Sequence, residues 1–240
     1  MSIRIGITCG DVNGIGPEIA LKAVSSSHWK PGIEFVLIGP EQVFDHSSVW
    51  PVEFTGKQTP GKITAGASKT AVAAIERAVH GCLEGELDAM VTAPICKEGL
   101  KLAGVNYPGH TEMIAELTGT NRYGMMLMGN GLRVMLVTRH LPLRSVADSL
   151  TKENILEAIE LTGEALNWFG LHNGRIGVCG LNPHAGDGGA LGDEESAVIA
   201  PAIAAACAKG FNAVGPVPAD VIFYQALGKQ YDAVVAMYHD

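Results

Sequence analysis

The chain has 240 residues, 47% of them hydrophobic, so it can bury the core of one large domain or two lobes, and that composition argues against disorder. A net charge of -8 repels polyanions, which argues against nucleic acid and anionic membrane as partners; a small anionic substrate would need a local cluster of donors or cations. The five cysteines (Cys9, Cys82, Cys96, Cys179 and Cys207) are odd in number and form no C-x-x-C pair, so neither a disulfide framework nor a cysteine zinc cluster is expected, and a reducing cytoplasm fits.

Residues 3–9 are a short apolar run that reads as a strand, preceded by no signal-peptide pattern. The glycine-rich segment GDVNGIGPE, 10–18, follows, with Pro17 suited to the first turn of a helix. Such a segment either offers N–H groups to an anion or is a tight strand-to-helix turn. Residues 34–39 are the next strand. In 68–83, Val72, Ile75, Val79 and Cys82 recur at helical spacing, which predicts a helix with Ser68 as N-cap. Residues 87–93 are a strand, and Pro94, Cys96 in a loop and Lys97 come after it. PGHTE, 108–112, opens a helix running to 117, with Thr111 a candidate cap. The polar turn GTNRY, 119–123, is where two lobes are expected to meet, giving units 1–119 and 120–240. Strand 132–138 leads into Arg139 and His140, and helix 151–169 places Ile155, Ile159 and Leu166 on one face. Strand 175–180 leads into Asn182, Pro183 and His184, then a second glycine-rich loop. Asp193, Glu194 and Glu195 suit a helix start through the macrodipole, and the apolar stretch 197–208, too short for a bilayer, reads as a buried helix. By spacing, Asp220 reads as a helix cap between Pro218 and the apolar run 221–223. Strand 232–237 precedes Tyr238, His239 and Asp240. This alternation predicts a largely parallel sheet covered by helices. Cys9, Cys82, Cys179 and Cys207 lie in apolar runs and read as packing residues; His28, His46, His80 and His172 read as surface residues.

Ligands of open α/β sheets bind beyond the carboxyl ends of the strands. His140, His184 and His239 each stand just past a different apolar strand. Neutral imidazole is the commonest metal ligand, and three with an open position suit a catalytic site. Any one of them alone has the plainer reading of a loop residue bonded to water or backbone. Lys97 reads either as a phosphate contact or as a surface lysine. G-x-G-x-x-G occurs nowhere, so a classical dinucleotide fingerprint is unsupported.

Taken together, GDVNGIGPE, TAPICKEG, PGHTE, RHLPLR, CGLNPHAGDGG, PADVIF and AMYHD resemble the 4-hydroxythreonine-4-phosphate dehydrogenase family of vitamin B6 biosynthesis, with its four-carbon sugar-acid phosphate dehydrogenase relatives. The resemblance runs from residue 3 to 240. It implies a two-lobed, isocitrate/isopropylmalate-dehydrogenase-like α/β fold, with a largely parallel sheet and helices on both faces. It implies a homodimer with active sites at the dimer interface, the second lobe carrying that interface and the metal ligands. His140, His184 and His239 match the family's metal ligands, drawn from two subunits; the ion is zinc, magnesium, manganese or cobalt. His110, Thr111 and Lys97 are the expected substrate contacts, and Asp220 the expected catalytic carboxylate. Asn182, Gly186 and Gly188 are expected at the NAD or NADP cofactor. The implied reaction is metal-dependent oxidation of 4-phosphohydroxy-L-threonine to a β-keto acid that loses carbon dioxide. Other readings are a threonate or erythronate 4-phosphate dehydrogenase, a metal-binding fragment without turnover, and an acyl-phosphate transferase. Family members continue past MYHD with a Lys, an Asn and an Arg that bind substrate, so residues 1–240 are expected to be incomplete as an enzyme, the first lobe being completed by a later segment.

Overall fold

Alternate apolar residues at the start of the chain build β1 (Ile3–Thr8) at the centre of a parallel sheet, in a computed structural model that describes residues 2–44, 46–54, 56–107 and 109–239. Pro108 of the PGHTE segment and Asp240 of the MYHD segment lie outside the described residues. The chain divides into two compact units, Met1–Asn121 and Arg122–Asp240.

In the first unit β1 is followed by α1 (Gly16–Val24), β2 (Ile33–Gly39), β3 (Val49–Pro51), α2 (Ala65–Leu83), β4 (Ala89–Val91), α3 (Lys97–Leu102) and α4 (His110–Leu117). The strands lie in the order β3-β2-β1-β4, all parallel. The core joins Ile7, Val36 and Ile38 of the sheet to Ala67, Ala74 and Ala78 of α2. The α2 helix starts one turn earlier than its apolar spacing predicts. Thr64 is extended, and its hydroxyl accepts the Ala67 N–H at 3.3 Å. Small residues carry that first turn, and they add nothing to a hydrophobic period. Ser68 is therefore no cap; its buried hydroxyl lies inside the helix. Thr111 is not a cap either, because the backbone of Gly109 occupies that position in extended conformation.

The second unit contains β5 (Met125–Gly129), β6 (Leu132–Leu136), α5 (Val146–Ser149), α6 (Lys152–Trp168), β7 (Ile176–Cys179), α7 (Ala200–Ala208), β8 (Ala213–Val217), α8 (Ala219–Leu227) and β9 (Ala233–Ala236). Its strand order is β5-β6-β9-β7-β8; only the β5–β6 pair is antiparallel. Thr151 and Asn154 close a reciprocal capping box at the start of α6. Alternate residues of the buried strands face opposite layers. Ile176, Val178, Ala233 and Val235 pack on α6 and α7, while Cys179, Val234 and Ala236 pack with Ile222 and Ala226 of α8. Helices thus cover both faces of this sheet. Ile155, Ile159 and Leu166 are almost fully buried, each contributing about 1.5–3 kcal/mol.

Two local expectations are corrected here. The stretch expected as one buried helix is a π-helical turn, Glu195–Ile199, followed by α7. Pro201 is tolerated because it falls in the first turn of α7. Cys207 is exposed, not packed, since it falls on the outer face of α7; Cys9 and Cys179 are buried and Cys82 is half-buried. No helix of the described residues is long and apolar enough to cross a membrane.

Candidate functional site

The parallel β6–β9 ladder continues two residues beyond β6 and one beyond β9. Val137 N–H donates to the Ala236 carbonyl at 2.9 Å and Thr138 N–H to the Met237 carbonyl at 3.1 Å. The buried Thr138 hydroxyl donates to the same Met237 carbonyl at 2.7 Å. These bonds clamp the two strand ends together. Two residues on from Thr138 is His140, and two on from Met237 is His239. Their rings stand edge to face, with centroids 5.6 Å apart. Both rings are exposed and line a cavity of about 190 Å³ with Thr138, Leu141, Val146 and Tyr238. Two imidazoles bound tetrahedrally to one ion would have centroids about 5 Å apart. The pair therefore fits two ligands of one ion.

His184 does not join them within the chain. Among the described residues, no group of three or more His, Cys, Asp or Glu side chains is placed to hold a metal ion. His184 sits in a left-handed turn, Pro183–Gly189, with φ of 54° at His184, 53° at Ala185, 81° at Gly186, 45° at Asp187 and 66° at Gly188. Asn182 and Gly186 are built into this turn: the Asn182 amide donates to Glu194 at 2.6 Å and to Glu195 at 3.0 Å, and Gly186 is buried. Gly188 is exposed.

Glu195 was not singled out by the spacing except as a charge at a helix start. It is instead buried, and its carboxylate accepts the backbone N–H groups of Leu181 and Asn182. Burial pushes its pKa up, but the bonds from Asn182 and Leu181 outweigh this and hold it below the usual range. Its partners lie 13 and 14 positions away, beyond the reach of any local pattern.

Asp220 falls in the first turn of α8 and is not its cap; Pro218 takes that position and offers no side-chain acceptor. Asp220 and His239 line one largely apolar cavity of about 530 Å³, with Leu127, Leu136, Phe223 and Tyr238.

In the first unit the GDVNGIGPE segment is a tight turn held by three of its N–H groups. Asp11 N–H donates to the Pro94 carbonyl, Asn13 N–H to the Asp11 carboxylate and Gly14 N–H to the Asp11 carbonyl, each at 2.9 Å. The Asn13 side chain binds Lys62, Thr64 and Thr59. Lys97 opens α3 and is exposed, sharing a groove of about 270 Å³ with Lys101, Val105, Asn106 and Tyr107. His110 and Thr111 do not line that groove. They begin α4, where burial lowers the pKa of His110 and a hydrogen bond to the Ala93 backbone opposes the shift. Among the described residues the buried His110 Nε2 has no hydrogen-bond partner. Cys96, expected in a loop, caps α3: its Sγ accepts the Gly99 N–H at 3.4 Å.

Comparison with known proteins adds a third line of observation. The family described as "Pyridoxal phosphate biosynthetic protein PdxA" matches residues 13–240. A 4-hydroxythreonine-4-phosphate dehydrogenase of Geobacter metallireducens is 40% identical over 99% of this chain and 78% of its own length. A Clostridium botulinum relative bearing the provisional name D-threonate 4-phosphate dehydrogenase is 37% identical over 98% of this chain and 79% of its own. The crystal structure of 4-hydroxythreonine-4-phosphate dehydrogenase from Klebsiella pneumoniae superposes with a TM-score of 0.90 at 38% identity, covering 100% of this chain and 81% of that one.

Proposed function

The chain belongs to the pyridoxal phosphate biosynthetic protein PdxA family, and from that premise we propose that it oxidises the secondary alcohol of 4-phosphohydroxy-L-threonine with NAD or NADP. The product is a β-keto acid, which loses carbon dioxide to give 3-amino-2-oxopropyl phosphate. The observation that carries this reading is the His140–His239 pair, held at 5.6 Å by the clamped strand ends. His140 and His239 of one chain, with His184 of a second copy, would hold a divalent ion such as zinc, magnesium, manganese or cobalt. When bound, that ion supplies Lewis acidity toward the substrate hydroxyl, and the nicotinamide supplies the hydride acceptor.

The chain's own residues divide the remaining work. His110 and Thr111, at the start of α4, bind the substrate; the buried His110 Nε2, with no hydrogen-bond partner among the described residues, supports a polar contact there. Lys97 adds a cation for the phosphate. The left-handed loop of Asn182, Gly186 and Gly188 borders the cofactor. The Asp220 carboxylate takes the hydroxyl proton or orients His239 through its second ring nitrogen, supported by the cavity they share.

The test is nicotinamide reduction by the natural full-length protein with 4-phosphohydroxy-L-threonine, against D-threonate and D-erythronate 4-phosphates. A kcat/KM at least about tenfold higher for the amino substrate is expected, because a site built to bond an amino group rejects analogues lacking it. Reversal of that ratio would favour the second reading, a sugar-acid phosphate dehydrogenase, which the Clostridium botulinum relative supports. No reduction with any of the three would end both readings. Two variants probe the roles. His110→Ala is expected to raise KM several-fold with little change in melting temperature, because it removes a half-buried ring that is not in the apolar core; an unchanged KM would make His110 a bystander. Asp220→Asn is expected to lower kcat by about tenfold or more, and wild-type turnover would reduce Asp220 to a charge at a helix start.

A further inference from the structure

The loop carrying His184 is costly to form. Three of its left-handed residues, His184, Ala185 and Asp187, are not glycine. A Cβ crowds the following carbonyl oxygen in that conformation, most for His184 and Ala185. Such a backbone persists only where its surroundings over-determine it.

Glu195 provides those surroundings. It is 6% exposed. Its Oε1 accepts Leu181 N–H at 2.8 Å and Asn182 N–H at 2.7 Å, and its Oε2 accepts the Asn182 amide at 3.0 Å. The carboxylate also lies against the glycines on either side of His184. A Cβ on Gly180 would stand 3.1 Å from Oε1, and one on Gly186 would stand 2.7 Å from Oε2. One buried carboxylate thus reaches the chain both before and after His184. The π-helical turn beginning at Glu195 is the local feature that carries it, and single π turns recur at functional sites.

We propose that Glu195 is the positioning residue for His184, fixing the left-handed loop so that the imidazole is presented to the ion before the ion arrives. The proposal rests on reading His184 as a metal ligand. Glu195 itself touches neither ion nor substrate. Glu195→Gln is the informative variant: it keeps an oxygen for the two backbone N–H groups but turns an NH₂ toward the Asn182 amide. Glu195→Ala removes every bond and leaves two buried N–H groups without an acceptor.

The experiment uses the full chain and zinc ion as the probe. Zinc affinity is read by competition with a chelating dye, and the mobility of the loop by amide hydrogen exchange of the metal-free protein. Glu195→Gln is expected to retain a cooperative melt, to bind zinc at least about tenfold more weakly, and to exchange faster across residues 181–189 alone. Zinc affinity within twofold of wild type in Glu195→Gln would mark a purely structural glutamate and overturn the proposal, even if Glu195→Ala unfolds. Unchanged exchange across the loop would overturn it as well, whatever the zinc affinity. If His184→Ala binds zinc as tightly as wild type, the ligand reading fails and takes this proposal with it; the exchange data then stand apart as a report on the loop.

Discussion

His184→Ala and His239→Ala are each expected to lose about 10³-fold in kcat/KM, since a lost ligand forfeits several kcal/mol of charge stabilisation and each 1.36 kcal/mol is tenfold. The more telling result is their mixture. His140 and His239 face each other within one chain, and no third ligand joins them among the described residues. If His184 comes from a second copy, a dimer of one His184→Ala chain and one His239→Ala chain holds one intact site and one lacking two ligands. Co-refolding equal amounts makes half of all dimers mixed, so activity should return to about a quarter of wild type. His140→Ala with His239→Ala is the control. Those two ligands belong to the same half-site, so no mixed dimer has an intact one. A first mixture no better than its parents would sink the shared site, and recovery in the control mixture would contradict the pairing of His140 with His239.

Gly10→Ala is expected to destabilise the first unit by about 2–4 kcal/mol, combining overpacking with a left-handed backbone. Gly10 has φ of 61°, and a Cβ there would fall inside van der Waals contact of the Pro94 carbonyl oxygen, with Ala93 also within 3.0 Å. Neither neighbour can yield cheaply, because the carbonyl is backbone that receives the Asp11 N–H. The strand end and the loop after β4 are thereby locked together. Urea unfolding followed by Trp29 and Trp50, both in the first unit, reads the change. Gly85→Ala, in the same unit, is the comparison: φ is 72°, but nothing lies within 4 Å of the added carbon, so about 1 kcal/mol is expected. A Gly10→Ala midpoint no lower than that of Gly85→Ala would show that the GDVNGIGPE turn is loosely packed.

Much of this could be read along the chain. Six short apolar runs mark β1, β2, β4, β6, β7 and β9; β7 and β9, buried along their whole length, are continuous hydrophobic runs, while β1 alternates and the edge strand β4 is largely exposed. The periods of α2 and α6 are legible because burial repeats every turn, whereas the Thr151 capping box appears only in the structure. β5 was missed although Asn130–Gly131, both at positive φ, is a hairpin signal. β8 was missed because Gly215 and Pro216 break its pattern. The positions of His140 and His239 past separate strands were equally visible. That they meet was not: β6 and β9 are neighbours only in the sheet, and the Thr138 hydroxyl reaches Met237 across 99 residues of chain. Nor did any pattern distinguish Glu195 from Glu194, or reveal that His184 and the four residues after it turn left-handed. The sequence by itself determined six of the strands and the periods of the two long helices, since those follow from burial repeated at short range, but not the caps, which it placed at Ser68, Thr111 and Asp220 where the structure has Thr64, Gly109 and Pro218. Only the tertiary structure decided which ends lie side by side and which carboxylate is buried, because the desolvation of a charge and the donors that offset it come from residues distant in the chain.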